Sequence, residues 1–182
     1  MSYLFYGINS AIRYARDGYT KELSDFLSKK PHLINQKNKN GNSILHIACW
    51  KGDTEMVLML LMRGSNVNSI DAKGYSPLLV AIEFCHHDLA LSLLERGADI
   101  SVGNQAYCMP LHVAALSGCK NVIIPLLQRG ADINAIETVS SVLFLAILHR
   151  NSTLFISTLF TCSFPHCVLQ EWMHSFALCA KE

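Results

Sequence analysis

Residues 38–70 read NKNGNSILHIACWKGDTEMVLMLLMRGSNVNSI, and the chain repeats this pattern twice more without a gap. The second copy is DAKGYSPLLVAIEFCHHDLALSLLERGADISVG (residues 71–103), and the third is NQAYCMPLHVAALSGCKNVIIPLLQRGADINAI (residues 104–136). A fixed period over so many positions predicts an array of similar structural units. The residues that recur in register are Leu45, Leu78 and Leu111; Ala48, Ala81 and Ala114; and Gly64, Gly97 and Gly130.

Each unit predicts a turn followed by two short helices. In residues 71–103 the turn begins at Asp71, and Ser76-Pro77 then opens the first helix, because a hydroxyl caps the free N–H groups and proline fits the first turn. The second helix carries leucines at helical spacing and ends at Gly97, a typical C-terminal glycine. One helix pair cannot bury its own apolar face, so the units are expected to stack into an all-α solenoid.

These residues resemble the ankyrin repeat family, whose two signatures recur in register. The signature T-P-L-H-x-A-A is matched by SILHIAC (43–49), SPLLVAI (76–82) and MPLHVAA (109–115). The signature L-L-x-x-G-A-D-V-N is matched by LLMRGSNVN (60–68), LLERGADIS (93–101) and LLQRGADIN (126–134). The resemblance implies an ankyrin-repeat solenoid of helix-turn-helix units joined by β-turn loops.

The flanking segments predict atypical ends to the array, as terminal repeats usually are. Residues 1–37 are expected to form a divergent N-terminal capping repeat, with helices at 11–18 and 20–27. Residues 137–160 resemble a degenerate C-terminal repeat, and residues 161–182 form a tail of uncertain structure. This tail is either a makeshift capping helix or the end of a truncated or alternative-ended form of a longer ankyrin protein.

The composition excludes several classes of partner. The chain has 182 residues, 51% of them hydrophobic, and 15 basic against 14 acidic groups, so no electrostatic footprint for nucleic acid is present. Residues 151–170 carry no formal charge, but about half are polar, so no membrane span is predicted. Seven scattered cysteines and an N-terminus without signal-peptide features favour reduced thiols and a cytoplasmic location, with the nucleus as the alternative. The oligomeric state is left open.

Catalysis, cofactors and metals have little support in the sequence. The resemblance implies that His46 and His112 hold their turns by hydrogen bonds to backbone. Cys162, His166, Cys167, His174 and Cys179 are of metal-ligating types, but their spacing is looser than that of structural zinc sites. Phosphate-loop, dinucleotide-binding and hydrolase motifs are absent from the sequence. We therefore expect no catalytic residue, no metal and no cofactor, and the chain is predicted not to be an enzyme.

Partner contacts in the resembled family come from the turn tips and the exposed face of the first helix. Aromatic groups are frequent among residues that dominate binding energy, and lysines beside them favour an acidic and apolar partner segment. The candidate partner-binding residues carried over by register are Trp50, Tyr75, Phe84, Leu116, Lys39, Asn42, Lys51 and Lys73.

Two further surface features are predicted. Leu58, Leu91 and Ile124 stand 33 residues apart where the family usually has a charged residue. They form either a second interface on the convex face or a stripe that is buried by rotation of the helices. Asn134 is similar to loop asparagines that are hydroxylated in this family, although bonding to the loop backbone is its main expected role.

The function expected from these observations is a non-catalytic scaffold or adaptor that binds a protein partner on its concave face. The alternative is a regulatory or targeting ankyrin arm of a larger multidomain protein, such as an enzyme or a ubiquitin-ligase adaptor, of which this chain is one form.

Overall fold

The computed structural model describes residues 2–105 and 108–132, which form eight α-helices in four consecutive pairs. A short 3-10 turn, Pro31–Leu33, follows the first pair, and one isolated bridge joins Lys37 to Ser43. The helices are α1 (Ser2–Asp17), α2 (Thr20–Lys29), α3 (Ile44–Lys51), α4 (Thr54–Met62), α5 (Pro77–Glu83), α6 (His87–Glu95), α7 (Pro110–Leu116) and α8 (Lys120–Gln128).

The helices form two layers. The first helices of successive pairs contact one another in the order α1, α3, α5 and α7, and the second helices do so in the order α2, α4, α6 and α8. The small residues Ala48, Ala81 and Ala114 are completely buried, so neighbouring helices can approach closely. This arrangement confirms the predicted all-α solenoid, in which each unit packs mainly on its neighbours.

The first repeat differs from its prediction. Helix α1 begins at Ser2, whereas the sequence predicted a first helix over 11–18. The helix is longer because the residue Ile8, before the predicted start, is also buried. Ile8 is only 3% exposed, and helix α1 packs along α3. Gly7 lies so close to Leu33 that an added Cβ would be 3.1 Å from its side chain. The longer α1 therefore brings Ile8 into the apolar core.

The turns that precede the first helices stack on one another through their backbones. The N–H of Ala72 donates to the carbonyl of Asn40 at 3.1 Å, and the N–H of Gln105 donates to the carbonyl of Lys73 at 3.0 Å. Gly74 has a φ of 83°, and a Cβ there would lie 2.9 Å from the Gln105 nitrogen. Glycine is therefore needed both for the turn and for the close stacking.

Some predictions concern positions outside the described residues. They are the degenerate repeat at 137–160, the tail at 161–182 with its cysteines and histidines, Asn134, and the side chain of Leu116. The helix pairs α3–α4, α5–α6 and α7–α8 lie within the intervals 38–70, 71–103 and 104–136.

Candidate partner-binding groove

A groove of about 670 Å³ lies on the concave side, between the second and third repeats. Helices α3 and α5 form its floor, where Ile47 and Val80 supply apolar surface. The turns that precede these helices form its rim. The residues that line it are Arg16, Asn42, His46, Ile47, Trp50, Asp71, Lys73, Tyr75, Val80, Glu83 and Phe84.

Two aromatic rings meet edge to face in this groove. The ring centroids of Trp50 and Phe84 are 6.2 Å apart at an angle of 85°, an arrangement that aromatic quadrupoles favour. Phe84 also stacks on His86, whose Nε2 donates to the backbone carbonyl of Trp50 at 3.2 Å. Each of the two residues is 47% exposed. They are therefore held in place by neighbours while keeping much of their surface accessible.

Tyr75 is fixed at the rim through its backbone. Its N–H donates to the Asp71 carboxylate at 2.8 Å, and its carbonyl accepts from His46 Nε2 at 3.0 Å. The Lys73 N–H donates to the same Asp71 oxygen at 2.8 Å. The side chain of Asp71 thus closes the turn, and Tyr75 lies half-buried beside the groove.

The charges around the groove have both signs. Arg16 and Lys73 are exposed cations, while Glu83 is an exposed carboxylate among the lining residues. Lys51 and Lys39 are also exposed but do not line the groove, and the Lys51 side chain lies over Gly18. The structure therefore brings together five of the eight predicted residues: Trp50, Tyr75, Phe84, Asn42 and Lys73.

Family models match most of the chain. One describes ankyrin repeats in three copies and matches residues 11–104, and another describes a single ankyrin repeat and matches residues 108–137. The chain belongs to the ankyrin repeat family. Ankyrin repeats are generally protein–protein interaction modules and generally lack catalytic activity.

Similar proteins share only part of this ankyrin array. A tyrosine-protein kinase of Hydra vulgaris, HTK16, is 38% identical over 53 residues, which are 29% of this chain and 7% of the kinase. An Arabidopsis thaliana ADP-ribosylation factor GTPase-activating protein, AGD1, is 36% identical over 61 residues, or 34% of this chain and 7% of that protein. The human ankyrin repeat domain-containing protein 13C is 36% identical over 67 residues, or 37% of this chain and 12% of its own length. The chain thus matches only a small fraction of these longer relatives.

The ankyrin histidines have backbone partners. His46 is 2% exposed, its Nδ1 accepts from the Ser43 N–H at 3.2 Å, and its Nε2 reaches the next repeat at Tyr75. His112 is 4% exposed, and its Nδ1 accepts from the Met109 N–H at 3.2 Å. Burial lowers the pKa of both imidazoles, because desolvation penalises the charged form. These contacts are of the turn-holding kind that the resemblance implied.

The predicted convex stripe of this ankyrin array is unevenly exposed. Leu58 and Leu91 are half-buried, and Leu91 packs against the core, whereas Ile124 is 44% exposed. Met62, which the sequence analysis did not single out, is 78% exposed on the outer helix α4. A second interface here stays a prediction.

Sequence reasoning missed two charged groups of the groove: Arg16 and Asp71. The first repeat is one residue longer than the period of the later repeats. Arg16 therefore corresponds to Trp50 only when Gly18 is aligned with Gly52. That alignment is the signal that could have found Arg16.

Within residues 2–105 and 108–132, no group of three or more His, Cys, Asp and Glu side chains is arranged to hold a metal ion. None of the helices described there is long and apolar enough to span a bilayer.

Proposed function

We propose that this ankyrin array is a non-catalytic adaptor that binds a protein partner in the groove between its second and third repeats. The observation that carries the proposal is the half-exposed pair of Trp50 and Phe84, held edge to face on a rigid helical floor. Aromatic groups that keep their position in the free protein lose little conformational entropy on binding. Such a pair therefore suits an apolar anchor from the partner.

The charge around the pair supports a partner segment that is acidic as well as apolar. Lys73 and Arg16 line the groove, and Lys39 and Lys51 are exposed nearby in the sequence of the same repeats. The Asp71 carboxylate is occupied by two backbone N–H groups of its own turn, so it offers less repulsion to a partner carboxylate. Glu83 is the remaining negative group of the lining and selects against a carboxylate in its vicinity.

The test compares two double variants that remove similar apolar surface from opposite sides. Trp50→Ala/Phe84→Ala changes the groove, and Met62→Ala/Ile124→Ala changes exposed residues of the outer helices α4 and α8. Proteins captured from a cell lysate are quantified by mass spectrometry for both variants and the wild type. Circular dichroism and thermal unfolding establish that all three are equally folded.

We expect the groove variant to lose a captured protein by about thirty-fold, which corresponds to about 2 kcal/mol for a binding hot spot. The outer-helix variant should keep that protein. Loss with the outer-helix variant alone would move the interface to the convex face, and equal capture by all three would reject the groove. Lys73→Glu provides a charge test, because it should weaken binding of an acidic partner most at low salt.

A second candidate function is supported by the names of the relatives. The matched segments belong to a tyrosine-protein kinase and to a GTPase-activating protein, and they cover 7% of each. In that case the array would be a regulatory or targeting arm of a larger protein. Sequencing of the complete transcript would distinguish the two, since the second function requires an additional domain in the same reading frame.

A further inference from the structure

The turn between α5 and α6 contains an unusual residue for its backbone conformation. Cys85 has a φ of 56°, and it is the one non-glycine residue with a positive φ among the residues described. The equivalent positions of the neighbouring repeats are Gly52 (φ 76°) and Gly118 (φ 68°). A side chain in this region is strained, because its Cβ crowds the backbone. The Cys85 thiol reaches the next repeat, where it donates to the Ser117 carbonyl at 3.3 Å.

A second thiol and an imidazole lie at the same place. Cys119 comes directly after Gly118 in the fourth repeat, is 0% exposed, and lies close enough to the Cys85 side chain to interact with it electrostatically. His87 begins helix α6 in the third repeat, and its Nδ1 is 3.0 Å from the Cys119 sulfur. Two sulfurs from adjacent repeats therefore meet beside one nitrogen base.

The geometry points to an oxidisable dithiol site: we propose that a hydroperoxide converts Cys85 and Cys119 into a disulfide between the third and fourth repeats, with His87 accepting the Cys119 proton. This site goes beyond the proposed adaptor function and does not depend on it. It lies outside the lining of the groove, although Cys85 directly follows Phe84 in the chain.

The reaction proceeds in two balanced steps. In the first, the Cys85 thiol releases its proton to water and its thiolate sulfur attacks one oxygen of the peroxide. The O–O bond breaks, a sulfenic acid forms, and the other oxygen takes up the released proton and leaves as an alcohol or water. In the second, the Cys119 proton passes to His87 Nδ1, and the Cys119 sulfur attacks the Cys85 sulfur. The S–OH bond breaks, and the departing hydroxide takes the proton from His87 as water. The two thiols lose two electrons and two protons, which reduce the peroxide.

The order of the two cysteines follows from their surroundings. Cys85 is half-buried and reachable by a small peroxide, whereas Cys119 is fully buried. Burial, together with the adjacent Cys85, raises the pKa of Cys119 to about 12. Cys119 therefore stays protonated until His87, whose Nδ1 lies 3.0 Å from its sulfur, takes its proton, and Cys85 is the thiol that the peroxide meets first.

The test uses the full chain in which Cys108 is replaced, because Cys108 and Cys119 share one tryptic peptide. Trypsin cleaves after Lys73, Arg96 and Lys120, so Cys85 falls in residues 74–96 and Cys119 in residues 97–120. Reduced Cys108→Ser protein is titrated with hydrogen peroxide, its remaining thiols are alkylated, and the peptides are analysed by mass spectrometry. Cys119→Ser and His87→Gln in the same background are the two comparison variants, and circular dichroism establishes their folding.

We expect peptides 74–96 and 97–120 to become joined with the loss of two hydrogens. The buried Cys49 should stay reduced at the same peroxide levels, so that it is still alkylated once the protein is unfolded. In Cys119→Ser the link should vanish, and Cys85 should instead accumulate as a sulfenic acid trapped by dimedone. In His87→Gln the link should form at least about a hundredfold more slowly, the lower end of the usual effect of losing a positioned base. Oxidation should raise the midpoint of thermal unfolding only where both thiols are present, since a cross-link restricts the unfolded chain.

Several results would overturn the proposal. Cys85 and Cys119 could both remain alkylatable while other cysteines are oxidised, or Cys85 could pair with a different cysteine. An unchanged rate in His87→Gln would remove the imidazole from the mechanism. Stoichiometric zinc in the purified protein that is lost in Cys119→Ser would assign the two thiols to a metal instead.

Discussion

The side-chain contacts between the second and third repeats differ from those between the third and fourth, although an equivalent backbone hydrogen bond joins the turns at both junctions. At the first of these junctions, His46 Nε2 donates across to the Tyr75 carbonyl at 3.0 Å. At the second, Leu79 occupies the equivalent position and is completely buried. The third repeat therefore replaces a hydrogen bond to its neighbour by apolar packing.

The loops after the second helices show the same difference. Asn68 donates to the Gly97 carbonyl at 3.3 Å and accepts from the Asp99 N–H at 2.8 Å, so it links the second repeat to the third. Ser101 takes this position in the third repeat, and its hydroxyl donates to Asp99 of its own loop at 2.6 Å. These hydrogen bonds from Ser101 lower the pKa of Asp99.

The turns between helices complete the contrast. The His86 ring packs over Gly52 at the first junction, so closely that a Cβ on Gly52 would overlap it. At the second junction Cys85 takes the place of Gly52, and the smaller Cys119 takes the place of His86. The comparison teaches that the stacked turns and the buried leucines fix the repeat geometry, while side chains at the junctions vary together.

The largest expected effect is at Leu79, which takes the position of His46 in the third repeat. Leu79→Ala removes a fully buried side chain and should lower the free energy of unfolding by about 3 kcal/mol, through lost transfer free energy and the resulting cavity. Urea unfolding followed by circular dichroism measures it. Ile124→Ala, at an exposed position, is the control and should change stability by less than about 0.5 kcal/mol.

The next largest effect is expected when His46 of the second repeat is replaced by leucine, the residue that the third repeat has at this position. His46→Leu removes the bond to Tyr75 and leaves its carbonyl without that donor, so we expect a loss of about 1–2 kcal/mol near neutral pH. Burial lowers the pKa of His46 from its usual 6.5, so the folded state binds fewer protons than the unfolded state below that pH. Stability of the wild type should fall as the pH drops below about 6.5.

His112 serves as an internal control for this pH dependence of stability. His112 has a lowered pKa as well and remains in both proteins, so only part of the slope should disappear in His46→Leu. Denaturant midpoints measured between pH 5 and 8, a range centred on histidine titration, give the two slopes. Parallel curves would show that His46 adds nothing to the acid sensitivity.

A smaller effect, of opposite sign, is expected at the strained turn. Cys85→Gly should stabilise the reduced protein by up to about 1 kcal/mol, because glycine adopts a positive φ without strain. Gly118→Ala is the matched reverse change, since nothing lies within 4 Å of an added Cβ and only the backbone conformation is tested. A destabilised Cys85→Gly would mean that the thiol contact with Ser117 outweighs the strain.

The smallest effect concerns the loop ladder. Ser101→Asn should let the third repeat bond to the Gly130 loop as Asn68 bonds to Gly97, which would add about 0.5–1 kcal/mol. Asn68→Ser should remove a similar amount at the other junction. Thermal unfolding of both variants measures the pair of changes, and effects of equal sign would contradict the equivalence of the two loops.

The sequence predicted the fold well because the information is local and repeated. The turn and cap residues of residues 71–103 recur at a fixed period, so each copy supports the interpretation of the others. The prediction failed for α1, which begins at Ser2, because the terminal repeat lacks the signature and its length is set by packing on α3. Five of the predicted partner-binding residues line one groove, since register alone fixes which positions face the concave side.

Other features required distances between repeats. Cys119 lies 32 residues from His87 along the chain, and the scattered spacing of the cysteines gave no sign that two of them meet. Arg16 joined the groove only through the stacking of α1 on α3.

The sequence by itself determined the family, the period, the helix pairs and the side of the array that each register position faces. These depend on local propensity and on apolar periodicity, which short stretches of chain encode. The tertiary structure decided which side chains of adjacent repeats touch: Trp50 with Phe84, His46 with Tyr75, and Cys119 with His87. The physical reason is that such contacts depend on rotamers and on the close stacking of whole repeats, which no single repeat specifies.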